Sequence, residues 1–147
     1  MARGAARTMG KEWAVVLADL PLFDGLSKRQ LGKIAGLGVA RRLPPLTSIV
    51  TKGDSGDAFF VIITGSAVVR RTGRRNVPLG PGDFFGEMAL LDGAPRTATV
   101  EATTEVEVML IPRSAFRKML RSEPAIAVKM LETLAARLRA TQSSPTS

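Results

Sequence analysis

A segment in the middle of this 147-residue chain combines residue types that can bind an anion next to a hydroxyl group. Gly86 leaves room for a ligand against the backbone. The run Glu87–Leu91 is long enough for one or two helical turns, whose first N–H groups would be unpaired and able to bind an anion. Ala94-Pro95 favours an extended path that returns Arg96 toward those amides.

An arginine that faces the N-terminus of a helix is a suitable place for a phosphate, and the small side chains of Ala89 and Ala98 let amides approach it. Glu87 would repel a free phosphate but would accept a hydrogen bond from a sugar hydroxyl. A cyclic nucleotide offers both groups, and its anion can be buried only when it is paired and hydrogen-bonded. The segment therefore predicts a cyclic nucleotide pocket.

The composition excludes several other classes of protein. The chain has no cysteine and no histidine, which removes disulfides, zinc–thiolate clusters, thiol catalysis and Ser/His catalysis. We therefore expect neither an enzyme nor a metal or cofactor. The chain has no apolar run of about 18 residues and no signal-type N-terminus, so we expect a cytoplasmic protein without a membrane span.

The net charge is +8 and the pI is about 11.0, which raises the question of nucleic-acid binding. The arginines between residues 41 and 139 are scattered, and Trp13 is far from them in sequence, so no aromatic platform interleaves with these basic residues. A solvated basic surface is the favoured interpretation, with no direct binding of nucleic acid. A weak attraction to an acidic partner is left open.

Hydrophobic periodicity predicts helices at both ends of the chain and strands between them. The N-terminal helices are Glu12–Leu20 and a second helix that a Ser27–Gln30 capping box opens and Gly36 ends. The C-terminal helices are Arg113–Leu120 and a longer one from Pro124 to about Ala140. The predicted strands are Val39–Leu43, Ser48–Thr51, Ala58–Thr64, Ala67–Arg71, Asn76–Leu79 and a half-exposed pair within 100–110.

These elements predict one mainly β domain with flanking helices, folded as an antiparallel jelly-roll barrel (a double-stranded β-helix). Residues 1–10 are expected to be a flexible N-terminus, and 11–140 the domain. Within it, 11–38 form N-terminal helices, 39–111 the barrel with the binding segment 82–100, and 113–140 C-terminal helices. The Ser/Thr-rich tail 141–147 is expected to be disordered.

The binding segment closely resembles the phosphate-binding cassette of the cyclic nucleotide-binding domain family. The matching runs are Phe85-Gly86-Glu87-Met88-Ala89-Leu90 and Pro95-Arg96-Thr97-Ala98-Thr99-Val100. The family includes kinase regulatory subunits, cyclic nucleotide-gated channels and the bacterial catabolite activator protein. The resemblance covers nearly the whole chain, and it departs at Pro45-Leu46, where the family commonly has a glycine.

The resemblance implies roles for individual residues. Glu87 would bind the ribose 2′-OH and Arg96 the phosphate. The cassette would supply further contacts around the ribose phosphate, and two barrel residues would lie near the base. The full set of expected site residues is Phe85, Gly86, Glu87, Met88, Ala89, Leu90, Arg96, Thr97 and Ala98 of the cassette, with Val69 and Leu79 of the barrel wall.

The resemblance also implies that the C-terminal helix covers the base as a lid and changes its placement when ligand binds. The candidate lid residues are Met130, Leu131, Leu134, Arg137 and Leu138. A stripe at Ala127, Leu131, Leu134 and Leu138 is compatible with a homodimer seam or with packing on the barrel or on the base.

The expected function is a cyclic nucleotide sensor, with cAMP favoured over cGMP, whose output passes to an unidentified downstream protein. The alternative is a fragment of a larger regulator. Such a regulator would be a channel gating domain, a kinase regulatory subunit, or a transcription factor of the catabolite-activator type that lacks its DNA-binding domain.

Overall fold

The computed structural model describes residues 6–8 and 14–142. Strand β1 (Ala6–Thr8) and helix α1 (Ala14–Leu17) come first, followed by a 3-10 turn (Pro21–Phe23) and helix α2 (Lys28–Ala35). The central region contains β2 (Val39–Leu43), β3 (Ser48–Val50), β4 (Ala58–Thr64), β5 (Ala67–Arg70), β6 (Val77–Leu79), β7 (Phe84–Phe85), the short helix α3 (Ala89–Asp92), β8 (Thr99–Ala102) and β9 (Val106–Pro112). Helices α4 (Arg113–Ser122) and α5 (Pro124–Gln142) follow.

The strands form two antiparallel sheets. The first sheet has the order β1-β2-β9-β4-β7, and the second has the order β3-β8-β5-β6. Strands distant in sequence are neighbours in both sheets, as in a jelly roll. The prediction of a mainly antiparallel β fold with flanking helices is confirmed.

The first sheet lies between the helices and the second sheet, and β4 shows how its sequence produces this. Alternate residues of a strand point to opposite faces. Phe59 and Val61 belong to the core beneath the helices, whereas Phe60 and Ile62 belong to the core between the sheets. A strand buried on both faces must be apolar throughout, which explains the uninterrupted run of β4.

Strand β9 has the same environment, and the expectation of a half-exposed strand is wrong there. Residues 106–111 are all buried, because Met109 and Ile111 face the helices while Val106 and Val108 face the second sheet. The alternation of Glu and Thr with valine in the sequence suggested an exposed face. Coverage of the first sheet by the helices removes that face from solvent.

The ends of the chain differ in part from the prediction. Ala6–Thr8, in the segment expected to be flexible, pairs with β2. Helix α1 ends at Leu17 and a turn follows, so the helix is shorter than Glu12–Leu20, whose first two residues lie outside the described part of the chain. Helix α5 extends to Gln142, and the remaining five residues of the expected tail, 143–147, also lie outside it.

An aromatic cluster connects the helices to the start of the cassette. Phe23 of the 3-10 turn packs edge-on against Phe59, with ring centroids 6.3 Å apart, and Phe59 in turn contacts Phe84 at 6.1 Å. On the other face of the sheet, Phe60 stacks on Phe85 at 5.0 Å. The short strand β7 is therefore anchored on both sides of β4, and this fixes where the chain enters the cassette.

Helix α5 is buried against the body only along its first half. Ile126 and Met130 are buried in the core beneath the helices, and Thr133 Oγ1 donates to the Asp24 carbonyl at 3.0 Å. From Ala135 to Gln142 every residue is exposed. None of the helices within the described residues has the length and hydrophobicity needed to cross a membrane.

Candidate functional site

A cavity of about 430 Å³ opens between the cassette and the second sheet. Nine of the eleven predicted site residues line it: Val69, Phe85, Gly86, Glu87, Met88, Ala89, Arg96, Thr97 and Ala98. The cavity is large enough for a small organic ligand. The segment that the sequence singled out therefore forms the wall of a real cavity, together with residues of β3, β5 and β8.

Two predicted site residues lie elsewhere. Leu90 is fully buried in the core beneath the helices, because α3 turns its side chain away from the cavity. Leu79 packs at the edge of the core between the sheets and does not line the cavity. Six lining residues were not among those predicted: Val50, Phe84, Asp92, Ala94, Pro95 and Val100. Two of them, Val50 and Val100, are buried valines that sequence patterning cannot distinguish from ordinary core.

Arg96 is the buried cation of the site. The residue is only 9% exposed. Its Nη2 donates to the Ala58 carbonyl at 2.5 Å, and its guanidinium lies 5.6 Å from the centre of the Phe60 ring. Its Nε is buried without a hydrogen-bond partner. Burial lowers the pKa of Arg96, while the carboxylates of Asp57 and Asp54 act in the opposite direction.

The loop between β3 and β4 holds the backbone of Arg96. The Arg96 amide donates to the Asp54 carbonyl at 2.8 Å, and the Gly53 amide donates to the Arg96 carbonyl at 2.9 Å. Gly56 in the same loop packs directly on the Ala94 carbonyl, where an added Cβ would overlap it. Two loops more than thirty residues apart thus fix the arginine in register.

Gly86 makes space for the guanidinium. It has φ of +80°, and a Cβ there would overlap Arg96 Nη1. Glycine is required at this position for two reasons, because its φ is unfavourable for other residues and because the arginine occupies the space that a side chain would need. Gly86 and Arg96 therefore form one structural unit.

Glu87 is one of two acidic residues that line the cavity, the other being Asp92. Its Oε2 is buried and has no hydrogen-bond partner. Burial raises the pKa of the Glu87 carboxyl above its ordinary value, while the positive charge of Arg137 on α5 and the Leu22 backbone amide act in the opposite direction. An unpaired acceptor beside the cavity is chemically suited to a ligand hydroxyl.

The short helix α3 corrects one expectation about its amides. The Ala89 amide donates to the Gly86 carbonyl at 3.0 Å, and the Leu90 amide donates to the Glu87 carbonyl at 3.2 Å. These two N–H groups are used within the turn and are not unpaired, because the turn begins before the helix proper. Arg96 is the one basic residue among those that line this cavity.

None of the lining residues of this cavity comes from α5. Of the candidate lid residues, Met130 is buried in the core, whereas Leu131 and Leu138 are 65% and 59% exposed. Leu134 is partly buried against the core and Leu131 is not, so the suggested seam is divided between two faces of the helix. A second cavity, of about 540 Å³, separates α5 from residues 18–25, and Arg137 lines it.

Comparison with known proteins identifies the family. The family model described as "Cyclic nucleotide-binding domain" matches residues 40–123, which is more than half of the chain. The chain therefore belongs to the cyclic nucleotide-binding domain family. The resemblance inferred from the cassette is confirmed.

The chain is similar to proteins with different outputs. It is 35% identical over 106 residues to a cAMP-dependent protein kinase regulatory subunit of Yarrowia lipolytica, covering 71% of this chain and 28% of that protein. It is 39% identical over 117 residues to a cyclic nucleotide-gated potassium channel of Mesorhizobium japonicum, covering 80% and 32%. The chain thus spans about a third of the length of these curated relatives.

A solved structure matches over nearly its full length. The N-terminal domain of a transcriptional regulator from Streptomyces coelicolor A3(2) superposes with a TM-score of 0.80 at 30% sequence identity. The match covers 88% of this chain and 96% of that domain. The chain is therefore similar in sequence to a kinase regulatory subunit and a channel, and in structure to a domain of a transcriptional regulator.

We predict that Gly86→Ala destabilises the protein more than Gly82→Ala. Gly82 has a similar φ of +88° but open space around its Cα, so its replacement measures the backbone strain alone, about 1–2 kcal/mol. Gly86→Ala adds overlap with Arg96, worth about 1–3 kcal/mol more. Urea unfolding of both variants measures the difference, and equal losses would contradict the proposed packing.

We predict that Glu87→Gln stabilises the ligand-free protein at neutral pH. The folded-state pKa of Glu87 is raised, so the wild-type protein loses stability as the pH rises from the ordinary carboxyl pKa through the raised value. Glutamine removes that loss. The stability of the variant relative to wild type should increase over this window and then stay constant.

Chemical denaturation between about pH 4 and pH 8 tests this expectation. Glu132→Gln, at an exposed carboxyl on α5, is the matched control for the loss of a carboxylate. A Glu87→Gln variant that is less stable than wild type at neutral pH would show that the carboxylate is stabilised in the fold.

Proposed function

We propose that this chain is a cyclic nucleotide sensor that binds cAMP in preference to cGMP and passes the signal on through α5. The observation that carries the proposal is Arg96, a guanidinium almost fully removed from water at the wall of a cavity, with its Nε unpaired. A buried cation of this kind is best compensated by an anionic ligand. A cyclic phosphodiester has one negative charge and matches it.

Glu87 supports a cyclic nucleotide over a simple phosphate. Its buried Oε2 makes no hydrogen bond, and a second anion placed beside it would be repelled. A ribose 2′-OH would donate to this oxygen and leave the phosphate to Arg96. The ligand class proposed is therefore one that carries a single negative charge and a neighbouring hydroxyl.

The second sheet contributes apolar residues to the cavity. Val50, Val69 and Val100 line it, and a purine base can be buried against such side chains without a direct hydrogen bond. A site of this kind suits adenine, and the similarity to a cAMP-dependent protein kinase regulatory subunit supports the same choice. We therefore expect cAMP to bind more tightly than cGMP.

Helix α5 is the element proposed to respond. Its second half is exposed, it presents Leu131 and Leu138 to solvent, and Arg137 acts electrostatically on Glu87. When a ligand hydroxyl pairs with Glu87, the balance of interactions that holds α5 in place changes, and the population of its placements shifts. The receiver of the signal is another protein, a second copy of this chain or another part of a longer regulator.

Titration calorimetry with cAMP, cGMP and 2′-deoxy-cAMP tests the ligand assignment. We predict tightest binding of cAMP, weaker binding of the 2′-deoxy ligand because Glu87 loses its partner, and a loss of at least about 2 kcal/mol in Arg96→Leu. That loss corresponds to a decrease in affinity of roughly 30-fold.

Arg74→Leu is the matched control, because it removes the same charge from an exposed hairpin residue that lies outside the cavity. Its affinity should remain within about twofold of wild type, since exposed charges interact weakly with a distant site. An equal loss in both variants would indicate a general electrostatic effect. Absence of binding to the wild-type protein at millimolar cyclic nucleotide would refute the proposed function.

Hydrogen exchange of residues 113–140, measured with and without cAMP, tests the response of the helices. We predict that ligand changes the protection of the second half of α5, because this half is exposed and exposed backbone opens at a low free energy. In Arg96→Leu the same concentration of ligand should have no effect. Unchanged exchange in a saturated wild-type protein would contradict the proposed helix response.

A further inference from the structure

Met88 differs from the other methionines of the chain. Its side chain is 49% exposed, whereas Met109, Met119 and Met130 are 0%, 8% and 2% exposed. The remaining two of the six methionines lie outside the part of the chain whose side chains are described. Since the chain contains no cysteine, Met88 is the accessible oxidisable sulfur among the described side chains.

The position of Met88 connects this sulfur to the ligand site. Met88 is the residue that precedes α3, and its carbonyl accepts hydrogen bonds from the Leu91 and Asp92 amides at 3.0 and 3.2 Å. Its backbone is therefore fixed, while its side chain lines the mouth of the cavity. Every other large apolar residue that lines this cavity is more buried than Met88.

We propose that Met88 is an oxidation site and that its sulfoxide weakens ligand binding at this cavity. The oxidant is a two-electron peroxide such as hydrogen peroxide. The thioether sulfur gives two electrons and gains one oxygen atom, the O–O bond breaks, and the peroxide leaves as water. The binding part of this proposal rests on the proposed function, whereas the selectivity of the oxidation does not.

The chemical change is large for this position. A thioether is apolar, flexible and polarisable, and it packs well on an organic ligand. The sulfoxide is polar, chiral and a strong hydrogen-bond acceptor. When a ligand covers the mouth of the cavity, this oxygen either loses its hydration or excludes the ligand, and either effect opposes binding. The sulfoxide oxygen would also lie next to the acidic residue Glu87 and would face an anionic ligand, which disfavours binding further.

Peptide mass spectrometry after brief exposure to hydrogen peroxide tests the selectivity. Tryptic cleavage separates the four described methionines, with Met88 alone in peptide 76–96, Met109 in 97–113, Met119 in 119–121 and Met130 in 130–137. The 76–96 peptide should gain one oxygen at a dose that leaves the three buried methionines unchanged. Oxidation of those three at the same rate as Met88 would overturn the proposal.

Calorimetry with cAMP, on wild type and Met88→Leu before and after the same peroxide dose, tests the coupling. Each protein's own untreated affinity is its reference, so any effect of leucine on binding is removed from the comparison. Oxidation should weaken wild-type binding about tenfold or more, and the ratio for Met88→Leu should stay near one. Treatment with methionine sulfoxide reductases should restore the wild-type affinity.

The outcomes separate this proposal from the proposed function. Selective oxidation of Met88 without a change in affinity would refute the coupling while leaving cyclic nucleotide binding intact. A similar peroxide effect on Met88→Leu would assign the loss to another residue and also overturn the proposal. If untreated wild type binds no cyclic nucleotide, the proposed function and the coupling both fail, and the mass spectrum alone decides whether Met88 is an oxidation site.

Discussion

The site depends on keeping one guanidinium, that of Arg96, largely out of contact with water. The Arg96 side chain donates to the Ala58 carbonyl, lies against the Phe60 ring and occupies the space that the absence of a side chain at Gly86 leaves. Its Nε nevertheless has no hydrogen-bond partner. Removing a cation from water is unfavourable unless other groups compensate for the lost hydration. The carbonyl, the aromatic face and two nearby aspartates supply part of that compensation. The rest is left to whatever enters the cavity.

The Glu87 carboxyl is likewise buried and incompletely hydrogen-bonded, but its charge is negative. Glu87 has a buried oxygen without a partner and a raised pKa, so two residues that line the cavity, Arg96 and Glu87, carry an unsatisfied donor and an unsatisfied acceptor. Such groups are unfavourable for folding and are retained where function requires them. The fold tolerates them because the apolar layers on both faces of the first sheet stabilise the domain independently of the site.

Much of this could be predicted from the sequence, because local rules are strong here. The Ser27–Gln30 capping box is present as expected, and the bounds of β2 and β4 agree with the prediction. Periodicity failed at β9, whose burial on both faces is decided by the helices above it. Local rules also could not place Leu90 or identify Val50, because an apolar residue in the cavity wall and one in the core have the same pattern.

Leu46 illustrates the same limit at a turn. The family commonly has a glycine there, and the structure shows why, since Leu46 has φ of +67° and is 76% exposed. Its amide donates to the Ala102 carbonyl at 2.8 Å, which holds the turn in a conformation unfavourable for leucine. The sequence indicated the departure from the family, but only the structure shows that the turn geometry is kept.

The way Arg96 is held has a consequence for how the domain folds. Its side chain reaches Ala58, 38 residues away in sequence, and its backbone is bonded to the loop containing Gly53 and Asp54. Contacts of such high sequence separation form late, after a large loss of chain entropy. The site therefore cannot form until both segments are in place. Ligand binding would then require the whole domain to be folded, and a nascent or locally unfolded chain would not bind the ligand.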